Sequence, residues 1–472
     1  MDKLPFMVTA TCDFGRFDHP DNLSAGERLA LKSDGGVIAT LTTTQLVFQY
    51  ANRILNQEFL DAQFAHQNGR WNTFGDAFRI GKNKTYSVAT TTDDVIVNFR
   101  KFALLGDPAL EPNFPEFFIR TESILDGATN QPVDSLGALG QYIINGEVTD
   151  VNGSTLTGFN GNLSVTFFDK PRIIKTTTFY GDKSFKMRNN IIYKGKATVT
   201  NGKFSITFIA PKDINYEYGQ GKLSLYAENG KTDAAGSDTT YVIGGFSDNP
   251  VIENNPPIVR PYIGDTLFKQ GGLTGSNTLL YAILEDETGI NVSGNGVGHD
   301  LTAVLDGDIA NPYILNDYYE AAPNTYKKGY LSFPITGLSN GRHMLTVKAW
   351  DVNNNSGEGT VYFEVADGTI VKVQNLVNYP NPFRDETHFM FEHNHPDERL
   401  DAEINIYNTS GMLVRTLKQE FEPTGSHSRE ITWDATDNNG AKLPSGVYVY
   451  RMKVATGQGI QTLAYQKLVI VR

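Results

Sequence analysis

The chain has 472 residues, a formal net charge of −12, 45 glycines and a single cysteine. That length exceeds what one hydrophobic core serves and divides naturally into about three to four domains. The acidic balance disfavours a nucleic-acid or anionic-membrane partner and no lysine or arginine cluster opposes this, no run of about 18 apolar residues offers a spanning helix, and one cysteine rules out an internal disulfide.

The chain opens on an apolar, β-prone run, Leu4 to Thr11, that leads into Cys12 and then the turn-rich Asp13 to Pro20. This pattern predicts a buried parallel strand that delivers a thiol to the carboxyl edge of a sheet. The thiol is either a small buried hydrophobe or a reactive group, and the run alone leaves both open. Ser24 with Glu27 three residues on predicts a capped helix over Ser24 to Leu31. A second strand is expected over Val37 to Thr44, and a helix over Val47 to Phe64, apolar at Val47, Phe48, Ala51, Ile54, Leu55 and Phe59. A third helix from about Thr73 to Lys82 precedes a final apolar element that ends in Phe102 to Pro108. Alternating strands and helices predict a parallel α/β domain over 1–120.

Helical composition then gives way to glycine, threonine, asparagine and tyrosine, the usage of β-sandwiches. Thr121 to Ala138 reads as a linker, and 139–250 as one Ig-like sandwich, with a hairpin turned by Asn201-Gly202. Asn254 to Pro257 marks the next boundary, and 256–367 reads as a second sandwich. Two of its loops, Glu285 to Asn291 and Asp351 to Ser356, are rich in oxygen donors. They suit a structural Ca²⁺, although neither has the spacing of a known calcium motif, and no other cofactor is expected. His299 and His343 have no neighbour at metal-ligand spacing and read as ordinary sandwich residues. The last block, 370–472, reads as a seven-strand sandwich anchored by Trp433, with prolines at one edge and a linker near Gly368 to Val371. His388, His393 and His395 alternate near its start and are expected to face solvent.

Three separated blocks, PFMVTATCDFGRFDHP, SAGERLALKSDGGVIATLTTT and FALLGDPAL, resemble in order and spacing the second half of a gingipain-family cysteine peptidase domain. The resemblance implies a caspase-like fold and puts Cys12 on the family's nucleophile. The family's general base is a histidine followed by glycine on an upstream strand, and only Met1 to Thr11 precede Cys12. The chain is therefore expected to be the carboxyl-terminal portion of a longer protein, its dyad incomplete and its own activity absent. His19, seven residues on, lies nearby but matches no family position, and His66 is expected on a solvated helix end.

At the other end, NYPNPF, YNTSG, WDATDNNG and LPSGVYVY resemble a type IX secretion C-terminal domain, and LTGFNGNLSVTFFDKP and KATVTNGKFSITFIAPKDINY resemble the type IX sortase rather than secreted gingipains. The fold class expected is multidomain: a partial caspase-like α/β (gingipain) domain, then three mainly β, Ig-like sandwiches. The resemblance implies a surface cysteine endopeptidase, peripheral on the outer membrane of a Bacteroidota-type bacterium. It would cut the C-terminal domain from type IX cargo and pass the cargo to water or a surface glycolipid amine. An outer-membrane β-barrel partner is also implied, and no nucleic acid. A secreted gingipain-like protease that is itself cargo, or a non-catalytic adhesin, are the alternatives.

Overall fold

The structure, a computed structural model, describes residues 4–67, 70–88, 93–177, 181–294, 296, 298–366, 371–395, 398–423, 426–428, 431–457, 459–463 and 465–471. Two compact units, 1–116 and 117–472, divide it.

The first unit runs β1 (Phe6–Val8), α1 (Ala25–Ala30), β2 (Ala39–Thr43), α2 (Gln49–Gln63), β3 (His66–Gln67), β4 (Arg70–Trp71), α3 (Phe74–Val88), α4 (Asp93–Arg100) and β5 (Phe102–Gly106). Ser24 and Glu27 close a capping box on α1, as their spacing predicts. The main sheet has the order β1-β2-β5. β1 is parallel to β2, but β5 runs antiparallel to it, which corrects the all-parallel expectation. An apolar run reports burial and not direction, so Phe102 to Leu105 read the same either way. β1 is half-buried rather than buried, because it is an edge strand. Helices α2 and α3 cover the sheet, with Leu41, Leu55, Phe59, Ala77 and Phe102 in the core. Their close crossing explains a glycine inside α3: a Cβ on Gly81 would lie 2.9 Å from the Phe59 Cα.

In the second unit the expected linker Thr121 to Ala138 is instead structured, as strands Phe117–Asp126 and Ser135–Ala138. Phe117–Asp126 enters a single eleven-stranded sheet. Its first seven strands in order are Lys203–Ile209, Gln141–Thr149, Phe117–Asp126, Asp233–Asp238, Lys222–Glu228, Gly161–Phe168 and Ile191–Val199. Tyr319–Ala321, Lys328–Ile335, Thr278–Glu285 and Ile258–Ile263 follow. The two sandwiches expected over 139–250 and 256–367 therefore share a sheet, joined where Gly195 pairs with Ala321, and one core that runs from Ile119 to Val365. Alternation tells which face of a strand is buried, and it is silent on which edge strands meet.

Asn201 and Gly202 do make a tight turn, both at positive φ and with reciprocal bonds between Thr200 and Lys203. No hairpin follows, because Ile191–Val199 pairs with Gly161–Phe168 while Lys203–Ile209 pairs with Gln141–Thr149. Residues Arg172–Thr176 and Lys183–Met187 form a separate two-stranded ribbon.

The carboxyl-terminal block has two further sheets and, among the described residues, eight strands where seven were expected. Leu400, Ala402, Ile404 and Ile406 alternate inward onto Phe389, Tyr450 and Trp433, whose Nε1 donates to the Thr436 carbonyl at 3.0 Å. The expected boundary at 367–370 lies outside the described residues.

Candidate active site

Cys12 lies four residues beyond the end of β1 and is exposed. The loop that carries it is pinned to the carboxyl end of β2. The Thr9 amide donates to the Leu41 carbonyl at 2.9 Å, Thr9 Oγ1 to Thr42 Oγ1 at 2.8 Å, and Thr43 Oγ1 to the Thr11 carbonyl. The Gly15 amide then donates to the Thr43 carbonyl at 2.8 Å, and a Cβ there would run into the Thr42 side chain, which is why a glycine suits this close approach. Asp13, just after the cysteine, has a φ of 57°. The threonine-rich β2 is thus the platform that sets the thiol.

Cys12 Sγ faces the start of α2. The Val47 amide lies 3.5 Å from Sγ, as does the Val47 carbonyl. These are its hydrogen-bond contacts among the described residues. Two buried asparagines fix this corner. Asn52 Nδ2 donates to the Ala10 carbonyl at 3.3 Å, and Asn98 Nδ2 donates to Asn52 Oδ1 at 2.9 Å. Asn98 Oδ1 in turn accepts the Phe48 amide at 2.7 Å. One relay therefore ties the cysteine loop, α2 and α4 together. Leu46, Phe48 and Tyr50 stand exposed around the same corner. A backbone N–H aimed into this corner, next to a helix start, is a donor that a carbonyl oxygen placed beside the sulfur could use.

His19 is not brought to the thiol; it lies in the exposed loop and its Nδ1 accepts the Asp21 amide at 3.3 Å. His66 is half-buried with its ring edge-on to Trp71 at 4.9 Å, rather than on a solvated face. Asn52 and Asn98 were missed in the sequence. Their signal is a polar residue on the inward face of a helix, which an apolar pattern treats as noise.

The two oxygen-rich loops do meet. Carboxylate oxygens of Glu253, Asp286 and Asp351 lie within 4.8 Å of one another, and these are the residues that can hold a hard cation. Asp351 is fully buried, which raises its carboxyl, and its hydrogen bond to Glu253 raises it further. Burial pushes Glu253 up too, but bonds from Asp351, the Asn255 amide, Asn355 and Thr288 outweigh it and leave Glu253 below the usual range. The Asp351 and Glu253 carboxyls are thus pushed in opposite directions. Glu253 lies outside both loops and was not foreseen.

His299 Nδ1 pairs with Asp213 Oδ2 at 2.7 Å, and His343 Nδ1 with Asp306 Oδ2 at 2.7 Å. His393 and His395 are buried, not solvated, because β alternation from Phe389 through Phe391 turns His393 into the core. His388 is half-buried, with Nδ1 3.1 Å from Thr432 Oγ1.

Residues 1–113, which hold the strand, loop and helix around the lone thiol, match peptidase family C25, the gingipain peptidases, and residues 378–458 match the FlgD Ig-like domain. No curated protein matches. Among solved structures, the chain is similar to dimeric latent PorU from Porphyromonas gingivalis, with 28% identity over 92% of this chain and 41% of that one, at a TM-score of 0.36. It spans about two fifths of that protein's length. RgpB pro- and mature domains from the same organism match at 17% identity over 49% of this chain and 46% of that one, with a TM-score of 0.22. Fibronectin(III)-like modules of Clostridium thermocellum CbhA match at 11% over 45% of this chain and 93% of that one, with a TM-score of 0.19. The C25 match thus covers the first unit, and a long mainly β portion follows it.

Proposed function

We propose that the chain is the carboxyl-terminal portion of a surface sortase of type IX secretion, with Cys12 as its nucleophile. The observation that carries this reading is the C25 match over residues 1–113, in which the only cysteine of the chain stands exposed on a pinned loop, facing a backbone amide. The thiolate attacks the carbonyl carbon at the junction between cargo and its C-terminal domain. The C–N bond breaks, the leaving amine takes a proton, and a thioester to Cys12 remains. Water resolves it to a free carboxylate, or a glycolipid amine resolves it to an amide. The Cys12 and Val47 amides supply oxyanion donors. A general base takes the thiol proton and returns one to the leaving amine; among the described residues no histidine contacts the sulfur. The protein acts at the cell surface, peripherally on the outer membrane, and its 370–472 module stays attached to dock on a β-barrel partner through exposed edges and loops such as Asn408 to Gly411. Replacing Cys12 by Ala in cells tests this: the parent protein should fold and reach the surface, while cargo keeps its C-terminal domain. Cargo trimmed as usual would contradict it.

A further inference from the structure

Among the described residues, the ribbon formed by Arg172–Thr176 and Lys183–Met187 pairs with no other strand. Its register places Ile173 opposite Lys186 and Lys175 opposite Ser184 on one face. On the other face Arg172 lies opposite Met187, Ile174 opposite Phe185, and Thr176 opposite Lys183. Cations scattered along the sequence are thereby gathered, which corrects the expectation that no basic cluster exists. Arg172, Lys175, Lys183 and Lys186 are exposed, and none makes an ion pair with the described residues. Ile173 and Phe185 stand beside them, 63% and 49% exposed.

The root of the ribbon is rigid. Lys170 pairs with the buried Asp169 at 2.7 Å and donates to the carbonyls of Asn215 and Ile243, while Arg188 donates to that of Gln220 at 3.1 Å. An isolated pair of strands is at best marginally stable in water. Here it also carries self-repelling cations and wetted apolar side chains on both faces. A protein partner laid against the ribbon covers one face only. The interface of a bilayer surrounds both, with phosphates for the cations and hydrocarbon for the apolar groups. The chain as a whole is at −12, so an anionic surface attracts this ribbon and repels the remainder, which sets an orientation.

We propose that the ribbon is a docking element for an anionic lipid bilayer, independent of the Cys12 reading. Net charge concealed it, because the average over 472 residues hides a local excess of the opposite sign.

Co-sedimentation of the full chain with phosphatidylcholine vesicles, with and without phosphatidylglycerol, tests the proposal. Binding should require the anionic lipid and weaken with salt. Lys175→Gln with Lys186→Gln should lower affinity about 25-fold, at roughly fivefold per cation near the surface. Ile173→Ser with Phe185→Ser should weaken binding at unchanged charge, and Lys231→Gln with Lys467→Gln should leave it intact. No binding to anionic vesicles, or equal binding by the ribbon variants and the parent, would overturn the proposal. Loss of self-association, or of binding to polyglutamate, in the ribbon variants without any vesicle binding would assign the ribbon to a second copy or an acidic polypeptide instead.

Discussion

Acid should destabilise the carboxyl-terminal block through one residue, His393. Burial holds its imidazole down at about 4, against an ordinary 6.5. A hydrogen bond to the His427 backbone opposes this, and the nearby His395 and His427 add to the lowering. Its Nε2 is buried without a hydrogen-bond partner among the described residues, so protonation would place a poorly compensated charge in the core. The sign follows from proton uptake: between pH 6.5 and 4 the unfolded chain binds a proton that the folded chain refuses, so stability falls as pH falls through that window. A difference of that size corresponds to about 3 kcal/mol, of which about 2 kcal/mol should be lost between pH 7 and pH 4.5. Trp433 lies in the same core and serves as reporter once Trp71 and Trp350 are replaced by Phe. Urea unfolding followed by that fluorescence at pH 7 and 4.5, in the parent and in His393→Phe, measures the effect. The variant should lose less stability on acidification by about 2 kcal/mol. Equal losses in both proteins would refute the assignment of a buried, neutral imidazole.

The asparagine relay gives a second expectation. Asn98→Ala leaves the Phe48 amide and the Asn52 side chain without their partner, and should lower the stability of the first unit by about 2 kcal/mol or more in thermal unfolding. It should also change the rate at which iodoacetamide alkylates Cys12, whereas Ser24→Ala should cost about 1 kcal/mol at α1 and leave that rate unchanged. The raised carboxyl of Asp351 contributes stability that is fully present below its unfolded value of 3.8 and is lost as pH rises through its folded value. Asp351→Asn should therefore flatten the loss of stability toward alkaline pH in denaturant titrations. The calcium expectation is checked in the same samples: a rise in Tm on adding Ca²⁺ that is confined to the parent supports it, and no rise removes it.

Much of the first unit was legible because its signals are local. Ser24 and Glu27 cap α1 through a spacing of three, and the run before Cys12 identifies both a strand and the loop beyond it. The direction of β5 and the half-exposure of β1 depend on which strands meet, and no periodicity encodes that. The same holds for the sheet shared between 117 and 335, since Gly195 and Ala321 lie far apart in sequence. Polar residues proved hardest. Asn52, Asn98 and His393 are buried and Glu253 is half-buried, each beside groups brought from elsewhere, and a polar residue read in isolation defaults to solvent. The ribbon failed for the complementary reason, because its cations are dispersed in sequence and adjacent only in register.

The most direct test of the account is the state of cargo in cells that express the full parent protein with Cys12→Ala. Removing one exposed thiol costs little packing, so the protein should persist at the surface in normal amount. Mass spectrometry of a type IX cargo protein should then find its C-terminal domain still attached and no amide bond to glycolipid. Cargo that ends at its normal cleavage site and is anchored as usual would show that Cys12 is not the nucleophile.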